Sequence, residues 1–208
     1  MKLLSTIATL LAGTCLLANC SEASHDTDGQ QAATSPQAET PGNKTTDPEK
    51  LAKLGEHLAL IAGCHDCHTP KKMTENGPEP DFSRALSGHP AQMPPPPIDQ
   101  KEVEKKGLAV SQTLTAWVGP WGISYAANLT PHKTGIGEWT EENFFRAMRE
   151  GRYKGLESGR MLLPPMPWPM YRHMTEEELK ALFAYLKSIK PIDNVVPPPQ
   201  PPVAAAGK

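Results

Sequence analysis

The chain has 208 residues and a formal net charge of -2, so it lacks the basic surplus a nucleic-acid binder uses to neutralise phosphates. Its 23 Pro and 16 Gly fall mostly outside the helical stretches, which points to one compact domain between flexible ends rather than to two full cores.

Residues 1–20 read as a signal peptide. Lys2 supplies the positive start, and Leu3 to Ala18 is an apolar run broken only by small residues. The run is short for a membrane span, which takes about 20 apolar residues. Leu17-Ala18-Asn19-Cys20 resembles a bacterial lipobox, in which Cys20 becomes a lipid-bearing terminus and a membrane tether. Asn19 departs from the small residue that pattern prefers, and Ser21-Glu22-Ala23 offers ordinary cleavage after Ala23 instead. Residues 21–46 are Ser, Asp, Thr, Gln, Pro and Glu with almost no apolar anchor, so they cannot offset their ordering entropy. They are expected to form a disordered linker; a flexible chain of that length spans ~30 Å.

The folded domain is expected over residues 47–191. Asp47 can cap a helix, and Pro48 suits its first position. Leu51, Leu54, Leu58 and Ile61 recur at helical spacing, and this stripe runs directly into Cys64-His65-Asp66-Cys67-His68. On a helical turn Cys64, Cys67 and His68 share one face. With Cys15 and Cys20 in the expected signal or at its cleavage site, only one Cys pair is left to the domain, one pair short of a structural zinc site. A thioredoxin-like redox pair would need a strand before it, and the sequence there is helical. Covalent haem attachment suits the motif: two thiols add to the vinyl groups, and the adjacent His68 reaches the iron. The motif occurs once, so one haem c is expected.

Residues 69–139 carry weaker signals. Thr113 to Val118 and Ile123 to Ala127 are β-prone runs around Gly119-Pro120-Trp121-Gly122, which predicts a short hairpin. Thr140 starts a helix carrying Phe144, Phe145 and Met148, with Gly151 as its stop. Thr175-Glu176-Glu177-Glu178 is a capping box. It opens a helix with Leu179, Leu182, Phe183, Leu186 and Ile189 on its buried face, and Pro191 ends it. Residues 192–208 are Pro-rich and expected to be a disordered tail.

The second axial position decides what such an iron can do, because a thioether closes it for electron transfer. Met166 lies in Leu163-Pro164-Pro165-Met166-Pro167-Trp168-Pro169, where flanking prolines stiffen the backbone. Met161, Met170, His132 and His173 are the alternatives. The free ring N–H of His68 needs an acceptor. Arg149, Arg152 and Arg160 are candidate propionate partners.

Several stretches resemble one branch of the bacterial class I cytochrome c superfamily. They are Gly63 to Pro70, Leu86-Ser87-Gly88-His89-Pro90, Ala127-Asn128-Leu129-Thr130-Pro131, Gly135 to Thr140 and Pro165-Met166-Pro167-Trp168. That branch includes free electron carriers and cytochrome subunits of periplasmic dehydrogenases. The resemblance implies an all-α, cytochrome c-like domain around one covalent haem, with Met166 as the distal ligand and, by analogy with the Gly-Pro that follows the motif in related cytochromes, a carbonyl near Gly77-Pro78 as the acceptor for the His68 ring. The function expected from these features together is that of a periplasmic electron-transfer protein, not itself an enzyme, that takes one electron from a dehydrogenase and passes it to an oxidase or another cytochrome. Rival readings are a cytochrome subunit fixed in a dehydrogenase complex and a haem-based sensor or ligand-binding module.

Overall fold

The structure, a computed structural model, describes residues 47–203. The expected signal peptide (1–20), the linker (21–46) and Cys20 lie outside the described residues. Helix α1 is Pro48–Ile61, capped by the Asp47 carboxylate, which accepts from the Glu49 N–H. It does not run straight into the Cys motif. Ala62 ends it, Gly63 turns left-handed at φ 69°, and a separate short helix α2, Cys64–His68, follows. The expected leucine stripe is also displaced. Leu58 and Ala59 are buried with Gly55, whereas Leu54 and Ile61 are exposed.

The expected all-α fold is corrected: the domain mixes helices with two small antiparallel sheets. Strands β1 (Lys71–Thr74) and β2 (Gly77–Pro80) form a hairpin in which Thr74 faces Gly77. Pro78 and Pro80 argue against a strand in sequence reasoning, yet both are tolerated because β2 has a single neighbour. Helix α3, Gln100–Lys106, is capped by Asp99 and ends at left-handed Gly107. Strands β3 (Val110–Ser111), β4 (Ala116–Gly119) and β5 (Gly122–Tyr125) form the second sheet in that order. The expected hairpin at Gly119–Gly122 is present there as β4–β5. Val103, Val118 and Ile123 make a small core under this sheet.

The main core is helical. Helix α4, Glu141–Glu150, has a reciprocal Thr140/Asn143 capping box and stops at Gly151. The short helix α5, Trp168–Tyr171, precedes helix α6, Glu176–Ser188, which has a Thr175/Glu178 capping box. Leu58, Leu86, Ile136, Phe144, Met148, Leu179, Leu182 and Leu186 are buried in one cluster. Burying each such side chain is worth about 1.5–3 kcal/mol. The ends of the domain are joined by α1 packing on α6.

Residues 192–203, expected to be part of a disordered tail, are instead held against the domain. The Asn194 amide donates to the Ser87 and His89 carbonyls at 2.7 and 2.9 Å. Gln200 bridges Ile123 of β5 through two main-chain hydrogen bonds of 2.9 Å. Polar side chains replace the missing apolar anchors: Asn128, Thr130 and Thr134 all bond to this segment.

Candidate functional site

The short α2 turn carries Cys64, Cys67 and His68 together, as the spacing predicts. Its C-terminal carbonyls are gathered by one cation. The Lys71 ammonium donates to the Thr69 and Asp66 carbonyls at 2.7 and 2.8 Å and to that of His65 at 3.4 Å. Thr69 is fully buried, and its hydroxyl accepts the Leu86 N–H at 3.0 Å. Burial pushes the Lys71 pKa down, against the nearby thiol and carboxyl.

His68 is held at two points. Its carbonyl accepts the Gly88 N–H at 2.8 Å. Its ring Nδ1 lies 2.7 Å from the Ala127 carbonyl oxygen, so Nδ1 carries the proton and donates it. The acceptor is therefore Ala127, not a carbonyl near Gly77-Pro78; those two residues belong to β2. Residues 86–89 run against 126–129: His89 N–H donates to Ala126 and Leu129 N–H to Leu86. Gly88 makes that approach possible. At φ +79° it is left-handed, and an added Cβ would stand 2.7 Å from the Ala127 oxygen.

With Nδ1 engaged as donor, Nε2 of His68 is unprotonated and presents a free lone pair; it makes no hydrogen bond among the described residues. The two cysteines are free thiols. Burial pushes the Cys64 thiol up to about 11, and it also raises Cys67. Thiols held neutral in this way do not suit disulfide exchange, which works through a thiolate. Two thiols beside an imidazole with one open nitrogen form the donor set of a Cys-x-x-Cys-His haem-attachment motif.

Cys64 and Met166 border the same apolar cluster, both partly buried against it. Met166 lies in the proline-rich loop before α5, where Leu162, Pro164, Met166, Trp168 and Met170 line a recess of about 350 Å³. The Tyr171 hydroxyl, just beyond, donates to the Ala62 carbonyl at 2.5 Å, tying the loop to the turn that precedes Cys64. The other thioethers are placed differently. Met148 is buried in the core, Met170 is 67% exposed, and Met161 is exposed with its backbone bridged to Arg152. His132 bonds to the Thr134 hydroxyl. Of the candidate propionate partners, Arg160 stacks on Tyr153 at 4.1 Å, Arg152 bonds to the Gly159 carbonyl, and Arg149 lies over Phe145.

Sequence reasoning missed Ala127, His89 and Asn194. Ala127 acts through its backbone and has no side-chain signal. His89 is fully buried, with Nε2 2.8 Å from the Met93 carbonyl and Nδ1 3.0 Å from the Thr115 hydroxyl. Asn194 lay in a stretch read as tail.

No protein-family model matches the chain. It is similar to the fructose dehydrogenase cytochrome subunit of Gluconobacter japonicus, at 34% identity over 150 residues. That match covers 71% of this chain and 23% of the relative. It is similar to the gluconate 2-dehydrogenase cytochrome c subunit of Pantoea cypripedii, at 32% over 138 residues, 66% of this chain and 23% of the relative. It is also similar to the cytochrome c subunit of a quinone alcohol dehydrogenase of Gluconobacter oxydans, at 28% over 146 residues, 69% of this chain and 23% of the relative. The chain thus spans about a quarter of the length of these curated relatives. The Cys64–His68 turn, the oriented imidazole and these likenesses agree: the chain belongs to the bacterial cytochrome c family, in the branch that includes cytochrome subunits of dehydrogenases.

Proposed function

We propose that this chain is an electron-transfer protein that holds one haem c and passes single electrons between a dehydrogenase and a further acceptor. Cys64 and Cys67 would hold the haem covalently, and His68, through Nε2, and Met166 would ligate its iron. Bound haem supplies an iron that cycles between the ferric and ferrous states. The protein's part is to keep both ligands in place through the cycle. The observation that carries this reading is the His68 ring, with Nδ1 committed to Ala127 and Nε2 open. A fixed tautomer with its other nitrogen presented is what a ligating imidazole needs.

The likeness to dehydrogenase subunits favours a fixed place in such a complex over a freely diffusing carrier. Residues 1–20 would direct export to the periplasm. A lipid on Cys20 and a linker over 21–46 would tether the domain to a membrane. The test is spectroscopic. The purified ferrous protein should retain haem through acid-acetone extraction and should not bind carbon monoxide without denaturant. Ready carbon monoxide binding would mean an open iron and would move the protein to the sensor class. Extraction of the haem would overturn the covalent attachment.

A further inference from the structure

The segment after the last helix sits where it can act on the iron. Resting on the reading above, in which His68 ligates haem, we infer that Asn194 is a positioning residue that sets the reduction potential by fixing the Ala127 carbonyl against the His68 ring.

The chain of contacts is continuous. His68 is gripped by residues 86–89 through Gly88 and by residues 126–129 through Ala127. Asn194 spans the first of these segments. Its amide donates to Ser87 and His89, and its side-chain oxygen accepts the Ala91 N–H at 3.0 Å. The same residue helps to hold the second segment. Its N–H donates to the Thr134 hydroxyl at 3.1 Å, and that hydroxyl also accepts from the Asn128 amide at 3.2 Å. The Asn128 amide donates to the Ile192 carbonyl as well, at 2.9 Å. Asn128 is 3% exposed and adjoins Ala127 in the chain. Ala126, on the other side, accepts from His89. The residues on both sides of Ala127 are therefore tied to a network that runs through Asn194.

The electronic consequence has a sign. Donation from Nδ1 to a carbonyl makes the imidazole a more basic ligand. A more basic ligand favours ferric iron and holds the potential down. If Asn194 is lost, the two segments loosen, the Nδ1–H bond weakens and the potential rises. A role in packing alone would lower stability and leave the potential where it was.

The experiment compares the full holoprotein with Asn194→Ala, Thr134→Val and, as a control at the far end of the segment, Gln200→Ala. Thr134→Val removes the shared acceptor while conserving shape, and it serves if Asn194→Ala does not accumulate. Redox titration should give a higher potential in Asn194→Ala and Thr134→Val than in wild type, with Gln200→Ala unchanged. Exchange of the His68 Nδ1 proton with solvent, followed by NMR in the ferrous state, should be faster in the first two. A potential equal to or below wild type in either variant that folds with haem attached overturns the inference. A wild-type protein that carries no covalent haem overturns the functional reading instead.

Discussion

Gly55 of α1 lies directly on the Ala181 backbone of α6. A Cβ built there would also stand 2.6 Å from the Tyr185 Cβ. Backbone meets backbone at this crossing, and the two helices close the domain around one contact that admits no side chain. Helix propensity alone favours Gly55→Ala by about 1 kcal/mol. Overpacking costs about 1–3 kcal/mol and acts at a site where the nearest neighbours are mostly main chain. We expect net destabilisation. Urea unfolding of the holoprotein should show a lower midpoint in Gly55→Ala, and an unchanged midpoint would mean the helices can part without penalty.

Met166→Ala should abolish the weak red absorption that thioether ligation gives ferric haem, and should lower the potential. A neutral, soft sulfur stabilises ferrous iron more than water or a nitrogen ligand does. Met161→Ala and Met170→Ala should keep the band, since both side chains are exposed. If Met170→Ala loses the band and Met166→Ala keeps it, the ligand is Met170.

Lys71 places a fixed positive charge on the carbonyl end of the turn that carries His68. Positive charge near the iron favours its reduced state. Lys71→Gln should therefore lower the potential, and added salt should shrink the difference less than for a surface charge, because the ammonium is partly buried. Equal potentials in Lys71→Gln and wild type would limit Lys71 to a capping role.

His89 gives the stability a pH dependence. The Met93 carbonyl can only accept, so Nε2 carries the proton and Nδ1 accepts from the Thr115 hydroxyl. The Tyr125 ring packs beside it at 4.9 Å. Burial lowers the His89 pKa in the folded state, partly offset by the Met93 carbonyl. Protons then bind the unfolded chain more readily. The contribution is complete above the unfolded value of about 6.5 and declines as pH falls below it. Denaturant titrations should show a steeper loss of stability below that pH in wild type than in His89→Asn. Parallel curves would assign the acid sensitivity to other groups.

The helices were legible because their ends are local. Asp47-Pro48, Thr140 with Gly151, and Thr175 with Glu178 name their boundaries without tertiary help. The Cys64–His68 turn was legible for the same reason. The failures are long-range. Leu54 and Ile61 match the helical period, yet Gly55 sets which face of α1 meets α6, and no side-chain pattern reports a close backbone approach. Helix α3 is charged along most of its length, and its only signals were Asp99 and Gly107. The first hairpin announced itself only through Asn76-Gly77, against the warning of Pro78 and Pro80. The His68 acceptor lies 59 residues away and is a main-chain atom, so no motif could nominate it.

The Ile123–Gln200 bridge also governs what the molecule avoids. An exposed sheet edge is a template for pairing with another chain. Gln200 turns both its N–H and its carbonyl toward Ile123 of β5. Its neighbours Pro199 and Pro201 have no N–H, so the segment takes up pairing on one side and has little to hand on from the other. The proline run that looked like a mark of disorder thus works as a sheet terminator, one that shields the β5 edge from pairing with another chain.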